Sequence, residues 1–195
     1  CEQKGTARRF CRAFAAPVVL VTLLLSTCTP QVTQEEAARA KEQNQQGLLL
    51  FAKGQYAKSS QMFDAAAALD PRQAEYMNNA GMSLLHTGQS PAALERFEKA
   101  LRVSEKPLFH FNKALALLNL KRGREARKAL EKTIALDPRH FDALVYLGHA
   151  YREADEPAQA RVSWEKALKV RRDAAVLNNL GSLDLREGSP DKALL

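Results

Sequence analysis

The five residues Ala68-Leu69-Asp70-Pro71-Arg72 return unchanged as Ala135-Leu136-Asp137-Pro138-Arg139, 67 positions later. A second echo, Asn78-Asn79-Ala80-Gly81 against Asn178-Asn179-Leu180-Gly181, is displaced by 100. Both spacings are whole multiples of a unit of about 34 residues, the period of stacked helix pairs. A chain with this beat is held to an array in which each unit contacts only its neighbours and buries its apolar faces against them.

The repeat can be put in register by placing its small residue at position eight. The units then start near 40, 74, 107, 141 and 174, with small residues Gly47, Gly81, Ala114, Gly148 and Gly181. Turn residues follow seven or nine places later: Gly54, Gly88, Gly123, Asp155 with Pro157, and Gly188 with Pro190. Sixteen places after the small residue stands a large apolar one, Phe63, Phe97, Leu130 and Trp164, and three further on come Ala66, Ala100, Thr133 and Ala167. Pro71, Pro107 and Pro138 close the first three units, and Arg172 holds that place in the fourth. In the second unit Met77, Ala80, Gly81 and Leu84 form one helical stripe, and Ala93, Phe97 and Ala100 form the facing one.

These positions resemble the tetratricopeptide repeat. The resemblance implies an all-α solenoid of antiparallel helix pairs wound as a right-handed superhelix, with four full repeats and a partial fifth over residues 40–195. Ala114 in place of Gly and Ser59 in place of Ala depart from the family pattern. The family also implies a concave groove lined by the first helix of each pair. Place six of the repeat reads Gln45, Asn79, Asn112, Tyr146 and Asn179. An asparagine amide donates and accepts at once, and such a file is similar to the asparagine ladders by which the family grips extended peptides. The expected groove residues are Asn78, Asn79, Met82, Asn112, Tyr146, His149, Asn178 and Asn179. The family's carboxylate clamp is not spelled out, since Asn78, Met82, Asp142 and Tyr146 occupy its key places.

The first 27 residues are of a different kind. Lys4, Arg8, Arg9 and Arg12 precede an apolar run, Ala13 to Leu25, that is shorter than the roughly 20 residues a spanning helix needs. A basic segment followed by a short apolar one is the pattern of an export signal. Leu25-Ser26-Thr27-Cys28 resembles a bacterial lipobox, which implies a diacylglyceryl group on Cys28 and a tether over 28–39. An ordinary secretory cleavage with Cys28 incidental is the alternative. Thr29 after the cysteine implies, by resemblance to enterobacterial lipoproteins, the outer membrane on its periplasmic face. All three cysteines, Cys1, Cys11 and Cys28, lie in this region, so the repeats hold no disulfide and no cysteine-based zinc site.

No catalytic constellation stands out. His86, His110, His140 and His149 lack metal-ligand spacing, and there is no phosphate-binding glycine loop, nucleophile elbow or HExxH. The formal net charge is +7, of which +4 belongs to residues after 27. The window 121–132 alone supplies that excess, through Lys121, Arg122, Arg124, Arg127, Lys128 and Lys132 against Glu125 and Glu131. It reads as a solvated outer face or as a contact for anionic lipid or an acidic partner. Nucleic acid is not expected, because no aromatic residues interleave the basic ones.

The expectation is therefore a non-catalytic scaffold at the bacterial envelope. It has no cofactor, metal or small-molecule substrate, and it binds a protein or extended peptide. Resemblance to lipoproteins of this type implies help in assembling pili, secretion machinery or outer-membrane complexes. The alternative is the recruiting module of a longer enzyme. Leu194 and Leu195 end inside an apolar pattern, and the chain is expected to continue beyond them.

Overall fold

A computed structural model describes residues 31–186. The export signal, Cys28 and residues 187–195 lie outside the described residues. Within them, nine helices follow one another: α1 (Gln34–Ala52), α2 (Tyr56–Leu69), α3 (Ala74–His86), α4 (Ser90–Val103), α5 (Pro107–Asn119), α6 (Gly123–Leu136), α7 (Phe141–Glu153), α8 (Pro157–Val170) and α9 (Ala174–Arg186). They pair as α1/α2, α3/α4, α5/α6 and α7/α8, and α9 opens a fifth unit. Among the described residues the fold is all-α, and contacts run mainly between helices adjacent in the chain, with α5 also meeting α3 of the preceding repeat, as the 34-residue beat requires.

The N-terminal boundary differs from expectation. Residues 34–39, assigned to the tether, are the first turns of α1. The cause is a capping box: Thr33 Oγ1 accepts from the Glu36 N–H at 3.1 Å, and Glu36 Oε2 accepts from the Thr33 N–H at 2.8 Å.

Each helix pair is closed by one contact. A Cβ built on Gly81 would lie 2.6 Å from the Phe97 ring, one on Gly47 2.7 Å from Phe63, and one on Gly148 2.2 Å from the Trp164 indole. Glycine at place eight therefore lets the large ring of the second helix lie directly on the backbone of the first. The third pair shows the same logic with sizes exchanged, the smaller Leu130 in place of the ring and the larger Ala114 in place of the glycine, and both are fully buried. The departure at Ala114 is thus matched sixteen residues later. Phe63, Phe97, Leu130 and Trp164 are all 1% exposed or less. The indole N–H of Trp164 also donates to the Val145 carbonyl at 3.1 Å, so its polar atom is satisfied inside the core.

The other departures are compensated as well. Ser59, fully buried where other repeats have Ala93, Ala126 and Ala160, donates to the Gly47 carbonyl at 2.8 Å and lies 3.1 Å from the Ser83 hydroxyl. Thr133 bonds back to the Ala129 carbonyl at 2.9 Å.

The turns inside the pairs correct one sequence reading. Gly54 (φ 71°) and Gly88 (φ 76°) are left-handed, but in the third pair that conformation falls on Lys121 (φ 57°) and in the fourth on Asp155 (φ 58°). Gly123, expected as the turn glycine, is instead the first residue of α6. The equivalent turn position is seven places after the small residue in each of the four described turns. Pro107 likewise opens α5 rather than closing the preceding unit, where its fixed φ and missing N–H suit the first turn.

The repeated pentapeptide is punctuation. Asp70 follows α2, almost fully buried, and its carboxylate accepts from the Arg72 N–H at 3.2 Å and from Arg72 Nε at 2.8 Å. The Arg72 guanidinium holds the Asp70 carboxyl below its ordinary value. Asp137 repeats the backbone bond, from the Arg139 N–H at 3.0 Å.

Ion pairs stitch successive units. Arg96 meets Asp64 at 2.7 Å, Lys113 meets Glu98 at 2.9 Å, Lys132 meets Glu105 at 3.0 Å, and Arg127 meets Glu156 at 2.8 Å. Arg161 reaches the buried Asp184 of α9 at 2.8 Å. Half of the basic residues of the window 121–132 are paired: Arg122 with Glu125 at 2.7 Å inside its own repeat, and Arg127 and Lys132 across repeats. Lys121, Arg124 and Lys128 are exposed.

Gly148→Ala should destabilise the chain by about 1–3 kcal/mol through overpacking against Trp164, despite a helix-propensity gain of roughly 1 kcal/mol. Adding Trp164→Leu to Gly148→Ala recreates the third pair. A double-mutant cycle by urea denaturation should then show favourable coupling of about 1 kcal/mol or more.

Candidate functional site: the first-helix groove

Place six was expected to present free amides to a ligand, but the side chains are arranged otherwise. Asn112 Nδ2 donates to Asn78 Oδ1 at 2.8 Å, and Asn79 Nδ2 donates to Asn44 Oδ1 at 3.2 Å. In both cases place six of one repeat binds place five of the repeat before it. The next step keeps the geometry in aromatic form: Tyr146 at place six meets Phe111 at place five edge to face, with ring centroids 5.8 Å apart. These rungs tie first helices to one another. Asn78 and Asn112 are 4% and 3% exposed, so their rung belongs more to the wall than to the open groove. Sequence reasoning missed Asn44 and Phe111 as rung partners. The signal was present in the matched residue types at places five and six, Asn with Asn twice and then Phe with Tyr.

Beside the rungs lies a cleft of about 270 Å³ lined by Leu48, Phe51, Phe63, Asn78, Asn79, Met82, Leu108 and Asn112. It takes residues from α1, α3 and α5, with Phe63 of α2 at its floor. Four of the eight expected groove residues, Asn78, Asn79, Met82 and Asn112, therefore meet in one place. Leu48 and Leu108 are 48% and 50% exposed, a high solvent cost for two leucines flanking one cleft. No charged side chain lines it.

Tyr146 and His149 belong to a second cavity of about 500 Å³, with Leu118, Lys121, Gly123, Ala150 and Glu153. Tyr146 is 40% exposed. His149 is half-buried, its ring 5.3 Å from Trp164 and perpendicular to it within about 20°. Asn178 is exposed and Asn179 half-buried on α9, and neither lines either cavity. Cys28 lies outside the described residues. The eight expected residues thus divide into a neutral, apolar cleft over the first three repeats, a cavity with charged residues in its lining between the third and fourth, and a separate pair on α9.

Among the described residues no cluster of three His, Cys, Asp or Glu side chains is placed to hold a metal ion. No described helix is long and apolar enough to cross a membrane. Burial, aided by the Arg152 charge and opposed by Glu153, lowers the His149 pKa. His110, bonded to Glu105 at 3.3 Å, is also lowered, with burial outweighing the carboxylate.

The chain belongs to the tetratricopeptide repeat family, whose profile matches residues 44–107, 78–138 and 111–175. A protein named STIP1 homolog, from Dictyostelium discoideum, is 32% identical over 132 residues, covering 65% of this chain. This chain spans 23% of that relative's length. Among solved structures, MamA from Desulfovibrio magneticus RS-1 superposes with a TM-score of 0.73 at 20% identity, covering 80% of this chain and 89% of that one. PilF of Pseudomonas aeruginosa gives 0.73 at 22% identity, with 82% and 74% covered. YrrB, described as having an unusual peptide-binding site, gives 0.68 at 20%, with 83% of each chain covered. At these identities the structural matches establish the fold.

Asn112→Ala removes the donor and leaves Asn78 Oδ1 without its partner in a nearly closed site. The variant should lose about 1–3 kcal/mol of stability in chemical denaturation, whereas Asn178→Ala on the exposed face of α9 should change it by less than about 0.5 kcal/mol. A histidine whose folded pKa is depressed adds stability that is complete above its unfolded value, about 6.5, and is lost as pH falls. Carboxylates with lowered pKa values stay ionised over this range. The melting temperature should therefore drop from pH 7.5 to 5.5, and His149→Phe should flatten that drop, as read by calorimetry.

Proposed function

We propose that this protein is a non-catalytic interaction scaffold that captures a partner protein through the cleft over its first three repeats. The observation that carries the reading is the exposure of Leu48 and Leu108 beside an uncharged wall built from Phe51, Met82, Asn79 and Asn112. Half-exposed leucines beside one concave surface are what a protein-binding groove presents to a partner's apolar side chains. Membership of a repeat family built for extended concave surfaces supports the reading. The cavity volume lies below the roughly 300–1,000 Å³ typical of a small-molecule site, which favours receipt of side chains.

The N-terminal sequence extends the proposal to place. A basic segment, a short apolar run and Leu25-Ser26-Thr27-Cys28 support export and a lipid anchor on Cys28, with the groove held at the periplasmic face of a bacterial membrane, the outer membrane by preference. In that setting the scaffold would serve assembly of an envelope complex such as a pilus or secretion apparatus.

Two measurements test the two halves. Leu108→Glu places a charge in the cleft without opening the core. It should abolish capture of the partner in cross-linked envelope fractions while leaving the circular dichroism spectrum unchanged; unaltered capture would reject the cleft. Metabolic labelling with a palmitate analogue should mark the wild type and not Cys28→Ser, and label retained in the variant would reject the anchor.

A further inference from the structure

Successive repeats meet at matching places, and two of these joints are finished differently. Between the first and second repeats three rings come together. Phe51 and Tyr56 stand four and nine places after the small Gly47, and His86 stands five places after Gly81 of the next repeat. Tyr56 and His86 stack with ring centroids 4.5 Å apart and planes at 14°, and Phe51 meets both edge to face, at 5.0 and 5.2 Å. Between the third and fourth repeats the same places hold Leu118, Gly123 and Glu153. All three line a cavity of about 600 Å³ between the start of α6 and the turn after α7. A Cβ built on Gly123 would meet nothing within 4 Å. In register, the cavity corresponds to the space that the ring stack fills two joints earlier.

We propose that this cavity receives an aromatic side chain of a partner protein, with an acidic residue beside it in the partner's sequence. The site is built at the turn end of the pairs, with Arg124 and Arg127 of a second helix and Glu156 of a turn in its lining. It shares no lining residue with the cleft over the first three repeats and does not depend on it.

The lining charges set what accompanies the ring. Arg127 is already used: it pairs with Glu156 at 2.8 Å, and its guanidinium lies 5.4 Å from the centre of the Tyr151 ring. Lys121, Arg124 and Lys128, gathered around the start of α6, are exposed and have no ion-pair partner among the described residues. Glu153 is the one acid of the lining left unpaired. Three free cations against one free carboxylate favour an acidic neighbour, and the planar guanidinium of Arg124 is suited to stack on a ring. Gly123, Arg124, Glu153 and Ala154 of the lining are exposed, so the cavity is open on one side. A free small molecule, which needs most of its surface enclosed, would be held on one face only. A ring carried on a partner's chain brings its own backbone to cover the mouth.

The test measures binding of short fluorescent peptides to the purified full chain in detergent by anisotropy. The probe carries one Phe flanked on both sides by Asp, on a Gly-Ser background. Controls replace Phe by Leu or both Asp by Lys, and phenylacetate serves as a free-ring competitor. The Phe-Asp peptide should bind saturably, the Leu control about tenfold more weakly, and the Lys control more weakly than the probe. Gly123→Tyr with Glu153→His rebuilds the stacked pair of the first joint, and should abolish binding without lowering the melting temperature. Arg124→Glu, an exposed change, should reverse the preference between the Asp and Lys peptides; should the double variant fail to fold, this result decides alone. No saturable binding, binding that survives these variants unchanged, a Leu control equal to the probe, or phenylacetate bound as tightly as the peptide would each overturn the inference. Leu108→Glu should leave the probe's affinity unaltered, so this site and the cleft succeed or fail separately. Loss of the probe in Leu108→Glu would put the peptide in the cleft and reject the inference.

Discussion

The approach of one large side chain to one small backbone position closes each of the four described helix pairs. Phe97 lies where a Cβ on Gly81 would be 2.6 Å away, and Trp164 where one on Gly148 would be 2.2 Å away. Glycine in a helix costs about 1 kcal/mol relative to alanine. That loss is tolerated because it allows a ring to be buried completely against the neighbouring backbone. Once the first and second helices are set at this distance, the remaining features follow. The small residues three places on, Ala66, Ala100 and Ala167, keep the ring's flank close-packed, and the turn seven places after the glycine must reverse the chain tightly enough to bring α4 onto α3. Stacking then covers the outer face of each pair, with ion pairs such as Arg96 to Asp64 and Arg161 to Asp184 across the joints.

Much of this was legible in the sequence because the repeat supplies its own comparison. Four copies of the Gly-to-aromatic spacing identify the core, and the pair Ala114 and Leu130 shows that the two positions vary together even within one chain. The turn was less legible. Gly123 stands two residues after the true left-handed position because Lys121 accepts a positive φ that glycine usually takes, so composition pointed to the wrong residue. The start of α1 was hidden for another reason. Thr33 and Glu36 form a capping box in a polar stretch with no apolar periodicity to announce a helix, and local hydrogen bonds rather than burial settle the boundary.

The groove was legible in outline and not in chemistry. Place six was singled out as a ladder for a ligand, whereas its side chains join one repeat to the next, and Asn78, Asn79, Met82 and Asn112 share a cleft. What sequence alone does not show is the direction in which an amide points. A side chain at a concave surface can face the solvent channel or the next helix, and the choice depends on a separation set by the core contact far below it.

That choice explains why the cleft and the second cavity differ. Where place five and place six are both asparagine, the rung is a short amide-to-amide hydrogen bond, and no charged side chain lines the cleft beside it. Where they become Phe111 and Tyr146, the rung is made of rings. The nearby lining then carries Lys121, His149 and Glu153. At the last step place five is Val145 and place six is Asn179, and Asn178 and Asn179 are left outside both cavities. The groove thus has an uncharged lining beside the asparagine rungs and a charged one beside the aromatic rung. Among the described residues the uncharged lining is gathered over the first three repeats.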